Sequence, residues 1–354
     1  MAKERLFYLD FVRALAAIAI VITHYNAVFL YWDPPVPGLY VIDAFVFGIY
    51  IGNFGVSLFL IISGAALMHV YGNGLKLKKF YIKRFKSLYP MFWIAYSVAF
   101  LYMYVYKGNW ATTQVPKQNL ILTFLGMDGY LADIIPTFYL VGEWFLGFIV
   151  IFYIVFPVLR FLIEKQPVLL AIGAVVIYCA LVWISGRYTM HMDPSKNLFV
   201  RLPELLFGMY FIKYIKKVNL PVAGISLAVL IVNQIIKPSW NEYVQTTYIG
   251  IAAFLVLVYI SQYVKSEKVH AVCAWISKYS YAIFLTHHII IYTLVTGFNV
   301  MEMSHSESYL IFFGLCFVIA VTSVILYKVH DYIMKGIAVL YRKVNPSGND
   351  MIKS

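Results

Sequence analysis

The chain has 354 residues, of which 62% are hydrophobic and only 12% are charged. A soluble domain carries about 25% charged residues, so this chain lacks the polar surface that a water-soluble protein needs. Its net charge of +12 would suggest a nucleic-acid partner in a soluble protein, but beside apolar segments it indicates basic membrane-flanking loops. The composition excludes a soluble nucleic-acid-binding protein and predicts an all-α polytopic membrane protein.

The cysteines carry no recognisable pattern. There are three of them, an odd number, and none belongs to a Cys-x-x-Cys motif. Disulfide frameworks and zinc sites need paired spacings, so we predict neither a disulfide nor a metal site. Each cysteine lies in an apolar run, which predicts buried helical positions for Cys179, Cys273 and Cys316.

Apolar segments recur along the whole chain, and about 20 residues suffice for one membrane span. We predict about ten transmembrane helices in a single domain, residues 1–344, followed by a cytoplasmic tail at 345–354. The predicted spans are 6–31, 43–69, 88–107, 138–163, 167–185, 198–215, 221–236, 244–264, 271–299 and 308–333.

The basic residues predict the orientation. Ten spans put both termini on one side, and 20 of the 28 lysines and arginines fall there, against 5 in the opposite loops and 3 inside spans. Because cytoplasmic loops carry the excess of Lys and Arg, both termini are predicted to face the cytoplasm. The membrane that the protein spans is predicted to be the cytoplasmic membrane. The longest outer loop, at 108–137, is semi-apolar and suits a segment that lies on or re-enters the membrane.

The first span contains three ionisable residues, Asp10, Arg13 and His24. Each such group costs about 2.5–3.5 kcal/mol on insertion scales, so it invites a functional hypothesis. Eleven positions at 100° put Arg13 and His24 on one helix face, about 16 Å apart along the axis. Alternatively, Asp10 and Arg13 pair at the interface and His24 satisfies a neighbouring helix. In a later span, Arg201 and Glu204 are expected to form an internal ion pair.

From this first helix onward the chain resembles the acyltransferase-3 family of integral-membrane O-acyltransferases. The family mark is an Arg, ten residues and a His, preceded by Leu-Asp, as in Leu9, Asp10, Arg13 and His24. Further segments match in order: GVSLFLIISG (55–64), FYIKRFKSLYPMFW (80–93), GEWFLGFIVIFYIVFP (142–157), RLPELLFGMYF (201–211) and SKYSYAIFLTHHIII (277–291).

The sequence departs from the family pattern at two positions. The family often has Arg-x-x-Arg in its basic loop, whereas here Arg84 is followed by Ser87. A His often precedes the Trp-Phe-Leu segment, and here Glu143 stands directly before Trp144. Lys83 and Lys86 are the neighbouring residues that could supply the missing positive charge.

The resemblance implies a bacterial enzyme that moves an acyl group, commonly acetyl, from cytoplasmic acyl-CoA to hydroxyls of a cell-envelope glycan. Acyl-CoA is then a donor substrate, with no tightly bound cofactor. Phosphate groups of the donor suit Lys and Arg, so Arg13, Lys83, Arg84 and Lys86 are the candidate donor-binding residues. Positive-inside bias and contact with lipid headgroups would explain the same basic loop without a donor.

His24, Arg13 and Glu143 are the candidate catalytic residues. His24 is the central one, because imidazole can exchange a proton near neutral pH. It would act as a general base on the acceptor hydroxyl or form a transient acyl-histidine, and the sequence does not choose between them. Glu143 is predicted to orient or pair with this imidazole. Asp10 and His287 are supporting residues; alternatively, His287 or His288 hydrogen-bonds a neighbouring helix.

Two other functions stay open. In a proton-coupled transporter or flippase of a glycan precursor, Arg13, His24 and Glu143 would form a proton relay. A glycan polymerase would be expected to have a large charged outer loop, which the 108–137 segment is not. The sequence does not predict which glycan hydroxyl is modified, the donor's chain length or the oligomeric state.

Overall fold

The computed structural model of the protein describes residues 4–107 and 115–344, and within these ranges it is almost entirely helical. The single sheet found there is a hairpin of two short strands, β1 (Phe45–Val46) and β2 (Ile49–Tyr50). Phe45 pairs with Tyr50 and Val46 with Ile49. Its two turn residues have positive φ, 51° at Phe47 and 81° at Gly48, as a two-residue hairpin turn requires.

The helices follow one another with short connections. They are α1 (Phe7–Leu30), α2 (Ile51–Tyr71), α3 (Leu77–Lys107), α4 (Leu120–Leu125), α5 (Asp128–Leu131), α6 (Trp144–Lys165), α7 (Pro167–Ser185), α8 (Leu202–Tyr210), α9 (Leu220–Ile236), α10 (Glu242–Ser261), α11 (Glu267–Val295) and α12 (His305–Val344). A π-helical turn, Phe211–Ile215, continues α8. Short 3-10 turns lie at Pro37–Leu39, Lys117–Asn119, Pro194–Lys196 and Val300–Glu302.

Six of the helices in the described ranges are long and apolar enough to cross a membrane: α1, α2, α6, α7, α10 and α12. α9 is equally apolar but has only 17 residues. The protein is therefore an all-α multi-pass membrane protein. Ten spans and cytoplasmic termini stay predictions, and the predicted tail at 345–354 lies outside the described residues.

The structure corrects the start of two predicted spans. Residues 43–50, predicted to begin the second span, are not helical: 45–50 form the β-hairpin, and α2 begins only at Ile51. Residues 138–143 precede α6 as irregular backbone, because Gly142 has a φ of 77° that a regular helix excludes. Hydrophobicity alone does not show such breaks, since apolar residues continue through both segments.

One cysteine also differs from the expectation. Cys273 is buried as predicted and Cys316 is partly buried, but Cys179 is exposed. Cys179 lies on α7, of which only Ala174 is buried in the structure. An apolar segment thus predicts a membrane-spanning helix but does not predict that its side chains are buried in protein, because lipid accepts the same side chains.

The part of the predicted outer loop that the structure describes, 115–137, folds against α3. It contains α4 and α5, joined at Gly126 in the left-handed conformation. Side chains of α3 satisfy its backbone: Tyr89, Trp93 and Tyr96 donate hydrogen bonds to the carbonyls of Leu125, Phe124 and Phe138. Protein therefore supplies the hydrogen bonds that an irregular segment near a membrane needs.

Small residues let α2 and α8 approach closely. A Cβ added to Gly64 would collide with the carbonyl oxygen of Leu205, and one added to Gly208 with that of Ile61. Close backbone approach at glycine is typical of packing between membrane helices. This contact brings Ser57 of α2 close to Glu204 of α8. The Ser57 hydroxyl donates a 2.6 Å hydrogen bond to the Glu204 carboxylate.

The predicted ion pair at the start of α8 is confirmed. Arg201 Nε lies 3.0 Å from Glu204 Oε2, and both side chains are buried. A buried charge is tolerated when an opposite charge and hydrogen bonds accompany it. The ion pair and the hydrogen bond from Ser57 belong to the α2–α8 packing, and neither Arg201 nor Glu204 is among the residues that line the central cavity described below.

Candidate functional site

A cavity of about 1010 Å³ runs along α1 through the middle of the bundle. Arg13, Ser87 and Tyr153 line one end, called here the basic end, and Tyr31 and Trp32 line the far end. Arg13 and Tyr31 are eighteen residues apart on or just after α1, which corresponds to about 27 Å of helix. The hydrocarbon core of a bilayer is about 30 Å thick. The central cavity is thus nearly as long as a membrane is thick.

At the basic end, one hydroxyl connects Asp10 to Arg13. Arg13 Nη1 donates to Ser277 Oγ at 3.1 Å, and Ser277 Oγ donates to Asp10 Oδ1 at 2.6 Å. The other oxygen of Asp10 forms an ion pair with Arg5. Asp10 and Arg13 therefore do not pair directly, as one sequence interpretation had it, but through Ser277 of α11. Ser277 is the first residue of the SKYSY segment. The sequence did not predict its role, because spacing along one sequence does not show which helices pack against each other.

The predicted basic loop is corrected, because Lys83, Arg84 and Lys86 lie on α3, and the structure separates these three residues. The guanidinium of Arg84 lies 5.5 Å from the centre of the Tyr153 ring and 5.8 Å from that of Tyr71, a cation–π arrangement. Its Nε is buried without a hydrogen-bond partner, and Tyr153 itself lines the central cavity. Lys83 is exposed, whereas Lys86 lines a different, outer groove between α3 and α12. None of the three lines the central cavity, but Arg84 contacts Tyr153, which does.

Three imidazoles meet where the central cavity passes His24. The His24 ring lies 4.7 Å from that of His287 and 5.2 Å from that of His288, centroid to centroid, and both contacts are edge to face. All three rings line the cavity. His24 is about 16 Å from Arg13 along α1. The sequence predicted a role for His24, but only the packing of α1 against α11 shows this cluster.

The hydrogen bonds of His287 fix its tautomer. Its Nδ1 lies 3.0 Å from the carbonyl oxygen of Ile283 and 2.9 Å from that of Phe284. A carbonyl can only accept, so Nδ1 carries the hydrogen and Nε2 carries the lone pair. Nε2 is buried and has no hydrogen-bond partner in the structure. The hydrogen bonds that His287 makes in the structure thus run from Nδ1 to its own helix, whereas the alternative interpretation of the sequence expected His287 or His288 to bond a neighbouring helix.

Glu143 is held by its own loop. Its buried carboxylate accepts hydrogen bonds from the backbone N–H groups of Val141, at 2.8 Å, and Leu140, at 3.3 Å. The neighbouring Gly142 lies against His288, where an added Cβ would come within 3.2 Å of the ring-bearing carbon. The predicted pairing of Glu143 with His24 is therefore corrected: the carboxylate shapes the loop beside the cluster. A catalytic role for Glu143 stays a prediction.

At the far end, a surface loop completes the wall. Asp193, Ser195 and Lys196 line the cavity there. Lys196 Nζ lies 2.7 and 2.9 Å from the two carboxylate oxygens of Asp133, which fastens the α7–α8 loop to the loop after α5. This end therefore combines aromatic rings, a carboxylate, a hydroxyl and an ammonium group.

These features define a class: a multi-pass helical membrane protein whose internal cavity carries a cation at one end and imidazoles along its length. The model of the acyltransferase-3 family, described as an acyltransferase domain, matches residues 6–328. The match extends over α1 to α11 and half of α12, and the chain belongs to this family of membrane acyltransferases. No curated protein and no solved structure gives a match.

Proposed function

We propose that the protein transfers an acyl group, acetyl above all, from cytoplasmic acyl-CoA to a hydroxyl of a cell-envelope polysaccharide or glycolipid, in the bacterial cytoplasmic membrane. The observation that carries this proposal is the central cavity, which links Arg13 to the far end and passes His24 on the way. A donor on one side and an acceptor on the other need such a passage, and its length of about 27 Å suits it.

The donor would enter at the basic end. Arg13 is half-buried there, and the Asp10–Ser277 contact holds its guanidinium against the cavity wall. A planar guanidinium forms paired hydrogen bonds with phosphate, and these are stronger in a site shielded from water. Arg84, whose Nε lacks a partner and whose guanidinium lies 5.5 Å from the centre of the cavity-lining Tyr153 ring, would supply a second cation. The donor phosphates would bind here, while the acyl thioester extends toward His24.

The transfer itself needs one base. The acceptor oxygen attacks the thioester carbonyl carbon, the carbon–sulfur bond breaks, and the hydroxyl proton passes through His24 to the leaving thiolate. If His24 first takes the acyl group, a ring nitrogen attacks the thioester carbon, the carbon–sulfur bond breaks, and the thiolate receives the N–H proton of the acyl-imidazolium. The acceptor hydroxyl then attacks the acyl-imidazole, the carbon–nitrogen bond breaks, and the hydroxyl proton stays on the regenerated imidazole. Both routes release free CoA and an ester, and both place the chemistry at the His24 ring.

The acceptor would reach His24 from the far end. Trp32 and Tyr31 offer aromatic faces, on which the apolar faces of sugar rings can stack, and Asp193 and Ser195 offer hydrogen-bonding groups. A few polar groups among apolar walls are typical of sites for small polar ligands. This composition supports a hydroxyl-rich acceptor more than an apolar one.

The test supplies membranes that contain the protein with acetyl-labelled acetyl-CoA and follows the label. We expect it on purified cell-surface polymers as an ester that mild alkali releases, together with an equal amount of free CoA. Membranes without the protein serve as the control. Label that stays on CoA while an envelope precursor changes sides of the membrane would instead support a transporter or flippase.

A further inference from the structure

We propose that His287 is the positioning residue of His24: its Nε2 accepts a hydrogen bond from the His24 ring and thereby selects the tautomer in which His24 is a base. This inference rests on the proposed function and names a second residue for that reaction. Three observations carry it, namely the fixed tautomer of His287, its unpartnered Nε2 and its distance from His24.

The first step is the direction of the hydrogen bonds. Two carbonyls of α11 accept from Nδ1 of His287, so the lone pair of this ring is on Nε2. His287 is only 1% exposed, so no bulk water reaches that lone pair. A buried acceptor without a partner is costly, and native proteins provide one or use the group. Nε2 of His287 is therefore a buried hydrogen-bond acceptor that is free to accept from a neighbouring donor.

The second step identifies the donor. The His24 ring lies 4.7 Å from that of His287, centroid to centroid, at an interplanar angle of 63°. A neutral imidazole has one N–H, and the nitrogen that faces an acceptor is the one that carries it. When the N–H of His24 turns to Nε2 of His287, the other nitrogen of His24 is left with its lone pair. Because His24 lines the cavity, that nitrogen would then be available to the acceptor hydroxyl.

The third step concerns the charged state. After His24 has taken the hydroxyl proton, both of its nitrogens carry hydrogen, and Nε2 of His287 still accepts one of them. No covalent bond forms at His287, and the proton of His24 goes on to the thiolate. In serine hydrolases a carboxylate does this work for the catalytic histidine. Here Glu143, the carboxylate that the sequence suggested, is bound to the N–H groups of Leu140 and Val141 instead.

His288 is the competing candidate, and the structure disfavours it. Its ring lies farther from His24, at 5.2 Å, and it is only partly buried. Within the described part of the chain no hydrogen bond fixes the tautomer of His288, so it offers no defined lone pair. His287 alone is held by its own helix in a defined state.

The experiment compares two amides at this position. In His287→Gln the amide reaches the place of Nε2 and can accept from His24, whereas in His287→Asn it takes the place of Nδ1 and leaves no acceptor there. Acetyl transfer to envelope polymer is measured over a range of acetyl-CoA concentrations in membranes with equal amounts of inserted protein. His287→Phe keeps a ring without a lone pair, and His270→Phe is the matched control on α11, where His270 stacks on Phe7 outside the cavity.

We expect kcat to fall about 10- to 100-fold in His287→Asn and His287→Phe, the loss typical when the partner that orients a metal-binding histidine is removed, with KM for acetyl-CoA unchanged. His287→Gln should keep most of kcat, and His270→Phe all of it. Equal rates for Gln and Asn, or a more active Asn variant, would overturn the proposal, because a role in holding helix α11 favours Asn. If His287→Phe does not insert, the Gln and Asn pair decides. Absence of transfer by the unmodified protein would contradict the proposed function itself.

Discussion

The ring of His24 meets the edge of His287 at a centroid distance of 4.7 Å, although α1 and α11 stand at opposite ends of the chain. The carbonyls of Ile283 and Phe284 hold the His287 ring, while His24 lines the cavity. The two helices thus bring a candidate base and an oriented acceptor together inside a membrane domain of the acyltransferase-3 family.

Replacing the candidate base should stop the reaction. We expect His24→Ala to lower acyl transfer at least 100-fold, because a general base contributes about 10²–10⁴-fold and an acyl-carrying residue more. Transfer of labelled acetyl to envelope polymer measures this in membranes with equal protein content. His270→Ala is the control, and a His24→Ala protein that keeps more than about a tenth of the activity would refute both roles of His24.

Removing the bridge at the basic end should weaken the donor site. Ser277→Ala deletes the hydroxyl that joins Arg13 to Asp10, a hydrogen bond to a charged group that contributes about 1.5–3 kcal/mol. We expect the apparent KM for acetyl-CoA to rise about tenfold or more while kcat changes little. Ser261→Ala is the matched control, because that hydroxyl only donates to a carbonyl of its own helix. An unchanged KM in Ser277→Ala would show that Arg13 needs no such support.

A substitution can test whether donor binding depends on the guanidinium group of Arg13 or only on the positive charge of this region. Arg13→Lys keeps the charge and loses the planar fork, so donor use should suffer strongly, whereas exposed Lys79→Ala should be nearly silent. Apparent donor affinity is measured for both across a range of salt, since screening weakens exposed contacts more than buried ones. Equal, salt-sensitive defects in the two variants would instead make Arg13 one member of a diffuse basic surface.

Cysteine labelling can test the predicted orientation of the protein in the membrane. In a variant whose three native cysteines are replaced by alanine, a cysteine at exposed Lys79 should react with an impermeant reagent only from the cytoplasmic side. A cysteine at exposed Gln118 should react only from outside. The distribution of basic residues is the reason. The reverse result would put the basic end of the cavity on the outer face and would exclude entry of cytoplasmic acyl-CoA there.

Packing between α2 and α8 should depend on glycine. Gly64→Ala places a methyl group against the carbonyl oxygen of Leu205, so we expect destabilisation by about 1–3 kcal/mol, the usual cost of overpacking. Gly173→Ala is the control, since nothing lies within 4 Å of its Cβ on α7. Thermal unfolding of the detergent-solubilised variants compares them. Equal unfolding temperatures would show that the two helices can separate without loss.

Local relationships were readable from the sequence. The scarcity of charge predicted a multi-pass helical membrane protein, and 100° per residue placed Arg13 and His24 along one face of α1, where both line the cavity. The Arg201–Glu204 pair was predictable for the same reason, because residues three apart on a helix are neighbours. The ordered motifs likewise led to the family that matches residues 6–328.

The tertiary structure decided what no periodicity contains. Which helices are neighbours depends on the packing of the whole bundle, so Ser277 as the bridge to Arg13 and His287 as the neighbour of His24 could not be derived from spacing. Backbone conformation matters as well: the positive φ of Gly142 turns the chain just before α6, and the carboxylate of Glu143 binds the N–H groups of its own loop instead of an imidazole. Periodicity along one helix determines faces, and only contacts between helices determine partners.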